Sequence, residues 1–351
     1  MKDVFSIIEA VNKRLMDKES KEIYANKIMF NITNDYTYLR NIFEIVNKTY
    51  SVLPDFKHHE KQPKVIFGCG KYGKLIKRCF PEIDWKCYVD NNAQMDMVVE
   101  GVPVISVENL KKAYPEAYIV VSPRFGYENI KKQLQQNFFC DENIFLYGEK
   151  QDFLAEKVYF DLPYLAHSDN EIFVDAGVLD GETSRAFISW SQKKYEHIYM
   201  FEPNVDLFEK IHKNMKNISK DSFTLHGKGL WNCEDTIDFF VDSEHLAGAN
   251  FIKETGNVCS ARSVSVIDLD SMLLDVPVSF IKMDIEGAEK KALQGCEKII
   301  RKYHPKLAIS IYHNSEDLWE IPQVILESDS EYNFYIRHYT LGDGDTVLYA
   351  V

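Results

Sequence analysis

The segment from Ile172 to Gly181, IFVDAGVLDG, constrains the fold more than any other part of the sequence. Its first three residues, 172–174, are apolar and predict a short buried strand that Asp175 ends. Gly177 and Gly181 then allow a tight turn that a ligand can approach closely. The spacing D-x-G-x-x-x-G differs from that of dinucleotide folds and of phosphate loops. It therefore predicts a turn that holds a nucleoside, although plain strand-to-helix connections also use such turns.

An acidic residue follows the next predicted strand. The run HIYMF at 197–201 leads into Glu202, and Pro203 then blocks further ladder pairing. A carboxylate at the end of the second strand can accept hydrogen bonds from both hydroxyls of a ribose. The alternative is a solvated glutamate at a strand end. We predict that Glu202 lies beside the glycine turn and faces the same ligand.

Length and composition limit the class of protein. A length of 351 residues corresponds to two or three domains of ordinary size. The composition, with 45% apolar and 27% charged residues, is typical of globular proteins. A net charge of −13 argues against nucleic acid or an anionic membrane as the main partner. The seven cysteines form no C-x-x-C pair and indicate a reducing compartment. With no signal peptide and no apolar run of the ~20 residues that span a bilayer, we expect a cytoplasmic protein without membrane insertion.

Apolar periodicity divides the chain into three predicted parts. Residues 1–60 have helical spacing and no visible chemistry, so we expect an appendage that packs or forms a homodimer. Residues 61–150 predict a smaller Rossmann-like α/β domain, and residues 151–351 a larger α/β domain. Strands of the smaller domain are predicted at 64–67, 86–89, 102–105, 117–121 and 144–147. Strands of the larger domain are predicted at 172–174, 197–201, 223–226, 237–241, 278–283, 307–311, 332–339 and 346–351.

The smaller domain contains a G-x-G-x-x-G motif formed by Gly68, Gly70 and Gly73, which opens a helix directly after a strand. Asp90 follows the next strand, 22 residues after Gly68, at the spacing of a ribose-binding acid. These four residues predict a nucleotide or nucleotide-sugar site. Its βα array, from 63 to about 148, has fewer than 90 residues and is too small for both mononucleotide halves. A module that keeps the turn and binds nothing is the alternative.

The end of the larger domain narrows its fold class. The last two predicted strands are joined by the turn Gly342-Asp343-Gly344-Asp345, which predicts a β-hairpin. Dehydrogenase domains do not usually end in this way, whereas class I methyltransferases do. We therefore expect an α/β fold with a doubly wound seven-stranded sheet and a C-terminal antiparallel hairpin.

Candidate catalytic residues follow two further strands of the larger domain. Asp284 and Glu286 come after the strand FIKM, and His313 comes after the strand ending in ISIY. Because ligands bind at the carboxyl ends of parallel strands, we expect these side chains to meet there. The pKa of histidine suits proton removal from a hydroxyl near neutrality, so His313 is the predicted base and Asp284 or Glu286 orients the acceptor. A structural strand-end histidine, or a divalent cation bound by all three residues, are the alternatives.

Residues from about 170 to 351 resemble the FkbM family of S-adenosylmethionine-dependent methyltransferases. The resemblance rests on the segments FVDAGVLDGETS, MFEPN, IDLDSML, IKMDIEGAEKKALQG, ISIYHNSEDLWEIPQVI, FYIRHYT and TVLYA. It implies O-methylation of a hydroxyl, often on a sugar of a surface glycan or on a secondary metabolite, in polysaccharide biosynthesis for example. In the first motif the family commonly has G-A-N-x-G, whereas Val178, Leu179 and Asp180 follow Gly177 here.

The resemblance also implies which residues bind S-adenosylmethionine. These are Asp175, Gly177, Gly181, Glu202, Trp231 and Asp284, with Trp231 in the loop KGLW beside the adenine. The smaller domain resembles Rossmann-like modules found beside sugar-modifying enzymes, which implies a glycan or nucleotide-sugar acceptor. Two other functions stay open at this point. One is a nicotinamide oxidoreductase built on the Gly68–Gly73 loop, and the other is a non-catalytic sugar-binding or scaffold protein.

Overall fold

The computed structural model of the protein describes residues 3–242 and 259–351. Its helices are α1 (Val4–Arg14), α2 (Lys18–Thr33), α3 (Tyr36–Tyr50), α4 (Lys71–Cys79), α5 (Val107–Ala113), α6 (Tyr127–Gln136), α7 (Tyr147–Ala155), α8 (Glu182–Trp190), α9 (Phe208–Met215), α10 (Leu269–Leu273), α11 (Glu289–Gln294), α12 (Glu297–Tyr303) and α13 (Asp317–Ser328). Its strands are β1 (Lys64–Phe67), β2 (Trp85–Val89), β3 (Val98–Val99), β4 (Val102–Ile105), β5 (Tyr118–Val121), β6 (Ile144–Leu146), β7 (Glu171–Ala176), β8 (Tyr195–Phe201), β9 (Phe223–His226), β10 (Gly229–Leu230), β11 (Asp235–Asp242), β12 (Cys259–Ile267), β13 (Phe280–Met283), β14 (Lys306–Ser310), β15 (Phe334–His338) and β16 (Thr346–Ala350). None of the helices in these two ranges has the length and apolar character that crossing a membrane requires.

The chain forms two compact units. The first consists of Met1–Tyr24, Val158–Arg337 and Asp345–Val351, and the second of Ala25–Lys157 and His338–Gly344. Each unit has its own mostly parallel main sheet. The division of the chain into domains at residues 60 and 150 stays a prediction.

The second unit is built on a six-stranded sheet with the order β3-β4-β2-β1-β5-β6. β1 pairs in parallel with both β2 and β5, so the strand order reverses at β1. All four residues of β1 are buried, as expected of a parallel strand with both faces covered. Ligands of such sheets bind at the carboxyl ends of the strands where the order reverses. The Gly68–Gly73 loop follows β1 and lies at this edge.

The first unit is built on a seven-stranded sheet with the order β15-β16-β14-β13-β7-β8-β9. β7 pairs in parallel with β8 and β13, and β13 pairs in parallel with β14. β16 lies between β14 and β15, and it runs antiparallel to β14. The predicted fold class, a doubly wound sheet of seven strands that ends in a hairpin, is confirmed.

One predicted strand of the larger domain lies outside its main sheet. The strand at 237–241 is part of β11, which lies outside the seven-stranded sheet in a smaller sheet with the order β10-β12-β11. β11 pairs with β12 in antiparallel register along its whole length. The sequence of β11 begins Asp-Thr-Ile-Asp-Phe, and such alternation of polar and apolar residues is typical of a strand with one solvated face. This alternation distinguishes β11 from the apolar runs of the main sheet.

The central strand β7 is longer than its apolar run. It extends from Glu171 to Ala176, so Asp175 lies inside the ladder and does not end the strand as predicted. In the sheet Asp175 is paired with Lys282 of β13 on one side and Met200 of β8 on the other. The carboxylate is tolerated there because the ammonium group of Lys282 lies 3.1 Å from it.

Candidate active site

The glycine turn after β7 packs directly against the end of β13. Gly177 has a φ of +78°, and a Cβ atom at this position would lie 1.8 Å from the carbonyl oxygen of Asp284. Gly181 has a φ of +86° and is the N-cap residue of α8. Both glycines thus have backbone conformations that other residues rarely adopt. Two motifs that the sequence predicts separately, the turn and the Asp284 segment, are in contact.

Glu202 links the glycine turn to the end of β8 through hydrogen bonds. One of its carboxylate oxygens accepts a hydrogen bond from the backbone N–H of Leu179 at 3.0 Å, and the other from the N–H of Asn204 at 2.9 Å. The side chain is buried, and burial raises the pKa of its carboxyl group. Each carboxylate oxygen keeps a second acceptor direction. Glu202 therefore lies where the sequence predicts it, beside the glycine turn.

Leu179 has an unfavourable backbone conformation within this turn. Its φ is +56°, in the left-handed region that asparagine tolerates better than leucine. Its side chain is 41% exposed, so no apolar packing explains the choice of leucine. Val178 and Leu179 both depart from the G-A-N-x-G pattern of the family that the sequence resembles, and Leu179 has a backbone conformation that favours asparagine.

Replacing Leu179 with asparagine is expected to stabilise the protein. An asparagine in the left-handed region avoids part of the ~1–2 kcal/mol that this conformation costs other residues, so the free energy of unfolding should rise by about 1 kcal/mol. Thermal unfolding of the purified variant measures the change. Leu179→Val is the matched control, because a β-branched residue is worse than leucine at positive φ and should lower the melting temperature. An asparagine variant that melts below the wild type would contradict the prediction.

Asp175 points into the protein interior. Its side chain is fully buried, with one oxygen 3.1 Å from the Lys282 ammonium group and the other accepting a hydrogen bond from the Ser184 hydroxyl at 2.7 Å. Both carboxylate oxygens thus have partners within the first unit. These contacts join β7, which precedes the glycine turn, to β13 and to the first turn of α8, which follows the glycine turn.

Asp284 is the centre of a hydrogen-bonded network at the end of β13. One carboxylate oxygen accepts a hydrogen bond from the Tyr159 hydroxyl at 2.8 Å, and the other from the Tyr312 hydroxyl at 3.1 Å. Burial raises the pKa of Asp284, but the positive charges of Lys282 and His313 act in the opposite direction, so that the pKa is below its ordinary value. Tyr159 was not predicted. It lies 125 residues from Asp284 in the chain, and no motif surrounds it.

His313 lies among the predicted acids and one that was not predicted. Its Nε2 atom lies 3.5 Å from a carboxylate oxygen of Asp284 and 3.4 Å from one of Glu286, and its Nδ1 atom lies 3.2 Å from Glu289. Glu289 is fully buried and accepts a hydrogen bond from the N–H of Ile285 at 2.7 Å. The predicted catalytic residues Asp284, Glu286 and His313 are therefore brought together, with Glu289 as a fourth member. We call these four residues the acidic cluster.

The acidic cluster changes the protonation of its own members. Burial lowers the pKa of His313, but the three carboxylates raise it by more, to about 9. Burial also raises the pKa of Glu286, to about 7. At neutral pH the imidazole of the unliganded protein is therefore protonated, whereas Glu286 exchanges its proton near neutrality. In this state His313 has no free nitrogen with which to accept a proton.

The same place offers ligands for a cation. Within the described parts of the chain, Asp284, Glu289 and His313 place one ligand atom each within 4.8 Å of one another. The sequence predicts Glu286 in place of Glu289 for this alternative. A protonated His313 occupies this position with its own positive charge and competes with a divalent cation. The cation stays an alternative.

Trp231 follows the short strand β10. Its backbone N–H donates a hydrogen bond to the carbonyl of Ile267 at 2.9 Å, and the ammonium group of Lys291 lies 6.0 Å from the centre of its indole ring. A Cβ atom on Gly295 would lie 2.0 Å from the Trp231 carbonyl oxygen. The loop is thus fixed beside α11, the helix that begins with Glu289. Its contact with an adenine stays a prediction.

The glycine loop of the second unit has the same design as the turn in the first. Gly68 has a φ of +93°, and a Cβ atom on Gly73 would lie 2.0 Å from the Gly68 carbonyl oxygen. One oxygen of Asp90 accepts a hydrogen bond from the N–H of Cys69 at 3.3 Å. In both units, therefore, an acid at the end of the second strand binds a backbone N–H of the loop after the first strand. Gly70 differs, because a Cβ atom there would meet no atom within 4 Å.

Alanine at Gly73 and at Gly70 should have different effects. Gly73→Ala forces a carbon atom against backbone and is expected to destabilise the second unit by about 3 kcal/mol or more. Gly70 has a φ of −77°, which any residue adopts, so Gly70→Ala should leave the melting temperature within a few degrees of the wild type. Thermal unfolding compares the two variants directly. Equal losses of stability in both would contradict the packing of this loop.

Three comparisons show which known proteins the chain is similar to. The sequence profile of the methyltransferase FkbM domain matches residues 175–338. Among solved structures, a methyltransferase FkbM from Methylobacillus flagellatus is 19% identical, with a TM-score of 0.52, and the match covers 91% of this chain and 99% of that chain. An rRNA methylase from Streptococcus thermophilus is 16% identical, with a TM-score of 0.34, over 58% of this chain and 93% of that one. Fibrillarin from Aeropyrum pernix, crystallised with S-adenosylmethionine, is 11% identical, with a TM-score of 0.36, over 57% and 74%. No curated protein sequence matches the chain significantly.

The fold of the first unit and the family match define an S-adenosylmethionine-dependent methyltransferase of class I. Residues 175–338 belong to the methyltransferase FkbM family. The resemblance seen in the sequence is thus confirmed. The oxidoreductase alternative, which predicted no S-adenosylmethionine site, has no support from these matches.

Proposed function

We propose that the protein transfers the methyl group of S-adenosylmethionine to a hydroxyl oxygen of a sugar, in a glycan or a glycosylated metabolite. The observation that carries this proposal is the contact between the glycine turn at Gly177 and the Asp284 segment, which joins a nucleoside-binding turn to a cluster of acids. S-adenosylmethionine supplies a methyl group that its sulfonium charge already activates. The protein then has to hold the two reactants in line and to remove one proton.

The turn fits S-adenosylmethionine. Glu202 can accept hydrogen bonds from ribose hydroxyls in addition to those from Leu179 and Asn204, because each of its oxygens has one acceptor direction left. The conformation at Gly177 keeps the backbone free of a Cβ atom at the turn. We propose that Gly177, Gly181 and Glu202 bind the cofactor directly. Asp175 supports the turn through Lys282 and Ser184, and Trp231 borders the adenine.

We propose Glu286 as the base that receives the acceptor proton. Its pKa of about 7 matches a proton transfer near neutrality, and its side chain is 39% exposed, so an acceptor can reach it. His313 remains protonated and holds the carboxylates of Asp284, Glu286 and Glu289 together by charge. This proposal moves the role of base from His313, where the sequence predicts it, to Glu286. Asp284, fixed by Tyr159 and Tyr312, orients the acceptor hydroxyl.

The charge of the acidic cluster favours a neutral sugar as acceptor. Carboxylates accept hydrogen bonds from hydroxyl groups and repel phosphate and carboxylate groups. We therefore expect hydroxyl groups of uncharged sugars to be methylated in preference to those of uronic acids or sugar phosphates. A nucleotide sugar would have to keep its phosphates outside the cluster.

Two measurements test the proposed function. Calorimetry with S-adenosylhomocysteine, the product of the transfer, should detect binding to the wild-type protein and none to Glu202→Ala. Incubation with S-adenosylmethionine labelled in its methyl group, and a panel of neutral and acidic oligosaccharides, should label neutral ones in base-stable ether linkage. Labelling that persists with a chelator argues against the cation alternative. A wild-type protein that does not bind S-adenosylhomocysteine would favour the non-catalytic scaffold.

We also propose that the second unit binds a nucleotide or nucleotide sugar, through Gly68, Gly70, Gly73 and Asp90. The open space at Gly70 supports this, because neither the conformation nor the packing of the loop requires a glycine there. Calorimetry with uridine diphosphate as the probe tests the site. Binding should be weakened in Gly70→Ala, which is expected to fold normally. Unchanged binding in that variant would contradict the proposal.

A further inference from the structure

Lys282 is a buried lysine that the proposed chemistry does not use. Only 1% of its surface is exposed, although lysine is rarely buried in proteins. It belongs to β13, between the strand's apolar residues, and its ammonium group lies 5.3 Å from the centre of the Tyr159 ring. Burying a charge is costly unless it is paired and hydrogen-bonded. A residue with this cost calls for an explanation.

The ammonium group of Lys282 donates to three oxygens at the start of the glycine turn. They are a carboxylate oxygen of Asp175 at 3.1 Å, the carbonyl of Ala176 at 3.0 Å and the carbonyl of Gly177 at 2.6 Å. An ammonium group has three donor hydrogens, so this set uses all of them. Only one of the three acceptors is a charged group. The other two are backbone carbonyls of the turn itself.

These two carbonyl contacts determine which way the turn faces. A peptide group is planar and trans, so its N–H points away from its carbonyl. With the Gly177 carbonyl held on Lys282, the N–H of Val178 is directed to the opposite side of the turn. Gly177, whose carbonyl Lys282 contacts, is the first residue after β7 and has a φ of +78°. Lys282 thus holds the backbone at the residue where the turn begins.

The charge of Lys282 also acts on both halves of the proposed site. Asp284 directly follows β13, two residues after Lys282. The positive charge of Lys282 lowers the pKa of Asp284, against the effect of burial. It acts in the same direction on Glu202, where burial has the larger effect and raises the pKa. The contacts of Lys282 themselves are all with β7 and the glycine turn.

We propose that Lys282 is a positioning residue for the transfer, which fixes the glycine turn through the carbonyls of Ala176 and Gly177. This inference rests on the proposed function of the same site. Lys282 acts through the turn, and it touches neither reactant. The simpler explanation is that Lys282 only balances the buried charge of Asp175.

Binding of S-adenosylhomocysteine and hydrogen exchange of the turn test this role without an acceptor. In Lys282→Met we expect binding about tenfold weaker, since hydrogen bonds from a charged donor are lost, and faster amide exchange in residues 176–181. Lys306→Met is the matched control. Lys306 lies on the adjacent strand β14 and pairs with buried Glu171 at 2.9 Å. This variant should lose stability but keep the affinity and the exchange of the turn.

The double variant Asp175→Asn with Lys282→Met separates the two explanations. It leaves no unpaired buried charge, so it is expected to fold even where the single variant does not. If Lys282 positions the turn, the double variant binds S-adenosylhomocysteine about tenfold more weakly than Asp175→Asn alone. Equal affinity and turn exchange in the double variant and in Asp175→Asn, or wild-type affinity and exchange in Lys282→Met, would overturn the proposal. Failure of the wild type itself to bind would instead overturn the proposed function.

Discussion

Replacing Gly177 with alanine is expected to abolish binding of S-adenosylmethionine. The new Cβ atom would lie 1.8 Å from the carbonyl oxygen of Asp284, and the residue has a φ of +78°. The contact is with backbone, so no side-chain rotation can relieve it, and the turn or the end of β13 has to move. We expect a loss of stability of about 3 kcal/mol or more from steric overlap and positive φ together. Affinity for S-adenosylmethionine, measured by calorimetry, should fall by more than about a hundredfold, because both halves of the site meet here.

Gly181→Ala is the matched control for this prediction. Gly181 also has a positive φ, +86°, but the nearest atom to its Cβ position is 3.5 Å away, on the side chain of Met215. Gly181→Ala is therefore destabilised only by the unfavourable backbone conformation, by about 1–2 kcal/mol. We expect it to fold and to bind the cofactor with reduced affinity. If Gly177→Ala were as stable and bound as tightly as Gly181→Ala, the packing of the turn against Asp284 would not be needed for binding.

Replacing Glu286 with glutamine is expected to slow methyl transfer by about 10²–10⁴-fold, the usual contribution of a general base. The amide keeps the size of the side chain and cannot take the proton. Because Glu286 is proposed to act on the acceptor, binding of S-adenosylhomocysteine should stay close to that of the wild type. Transfer to the best neutral sugar and calorimetry measure the two effects. Glu320→Gln is the control, since Glu320 pairs with Lys290 at 2.8 Å outside the acidic cluster.

The pH dependence of transfer distinguishes Glu286 from His313 as the base. Glu286 has to be deprotonated to act, so kcat/KM should rise with pH through about 7. His313 has to stay protonated to hold the carboxylates, so kcat/KM should fall as the pH passes about 9. His313→Gln removes the imidazolium, so Glu286 loses a positive neighbour and its pKa rises. The rise of kcat/KM should therefore occur at higher pH in this variant. A wild-type profile that rises through the ordinary pKa of histidine, and disappears in His313→Gln, would return the base role to His313.

The sequence predicts those parts of the fold and site that depend on residues close together in the chain. Short apolar runs gave the main strands, because parallel strands with two buried faces leave this pattern. The glycines at 177 and 181 could be recognised because positive φ restricts the choice of residue. The meeting of Asp284 with His313 followed from a topological rule, since both residues end parallel strands of one sheet.

The remaining features depend on contacts that no local pattern records. Tyr159 reaches Asp284 from an irregular segment, and buried Glu289 looks in the sequence like an ordinary first-turn glutamate of a helix. The protonation of His313 follows from three carboxylates at once, so it required their distances. Lys282 did leave a signal. A lysine within the run FIKM is unexpected in a buried strand and could have indicated a buried partner.

The position of β16 has a consequence for how the protein is made. This strand, Thr346–Ala350, is entirely buried and pairs with β14, yet it comes later in the chain than every other strand of the seven-stranded sheet. During synthesis β14 therefore keeps an edge with unpaired N–H and C=O groups, and β15 has no place in the sheet, until residues 346–350 have left the ribosome. If the ribosome stalls after β15, the unpaired edge of β14 in the nascent chain could pair with a strand of another chain. Chaperones that cover exposed strand edges are expected to matter more for this protein than for one whose sheet grows from its first strand to its last.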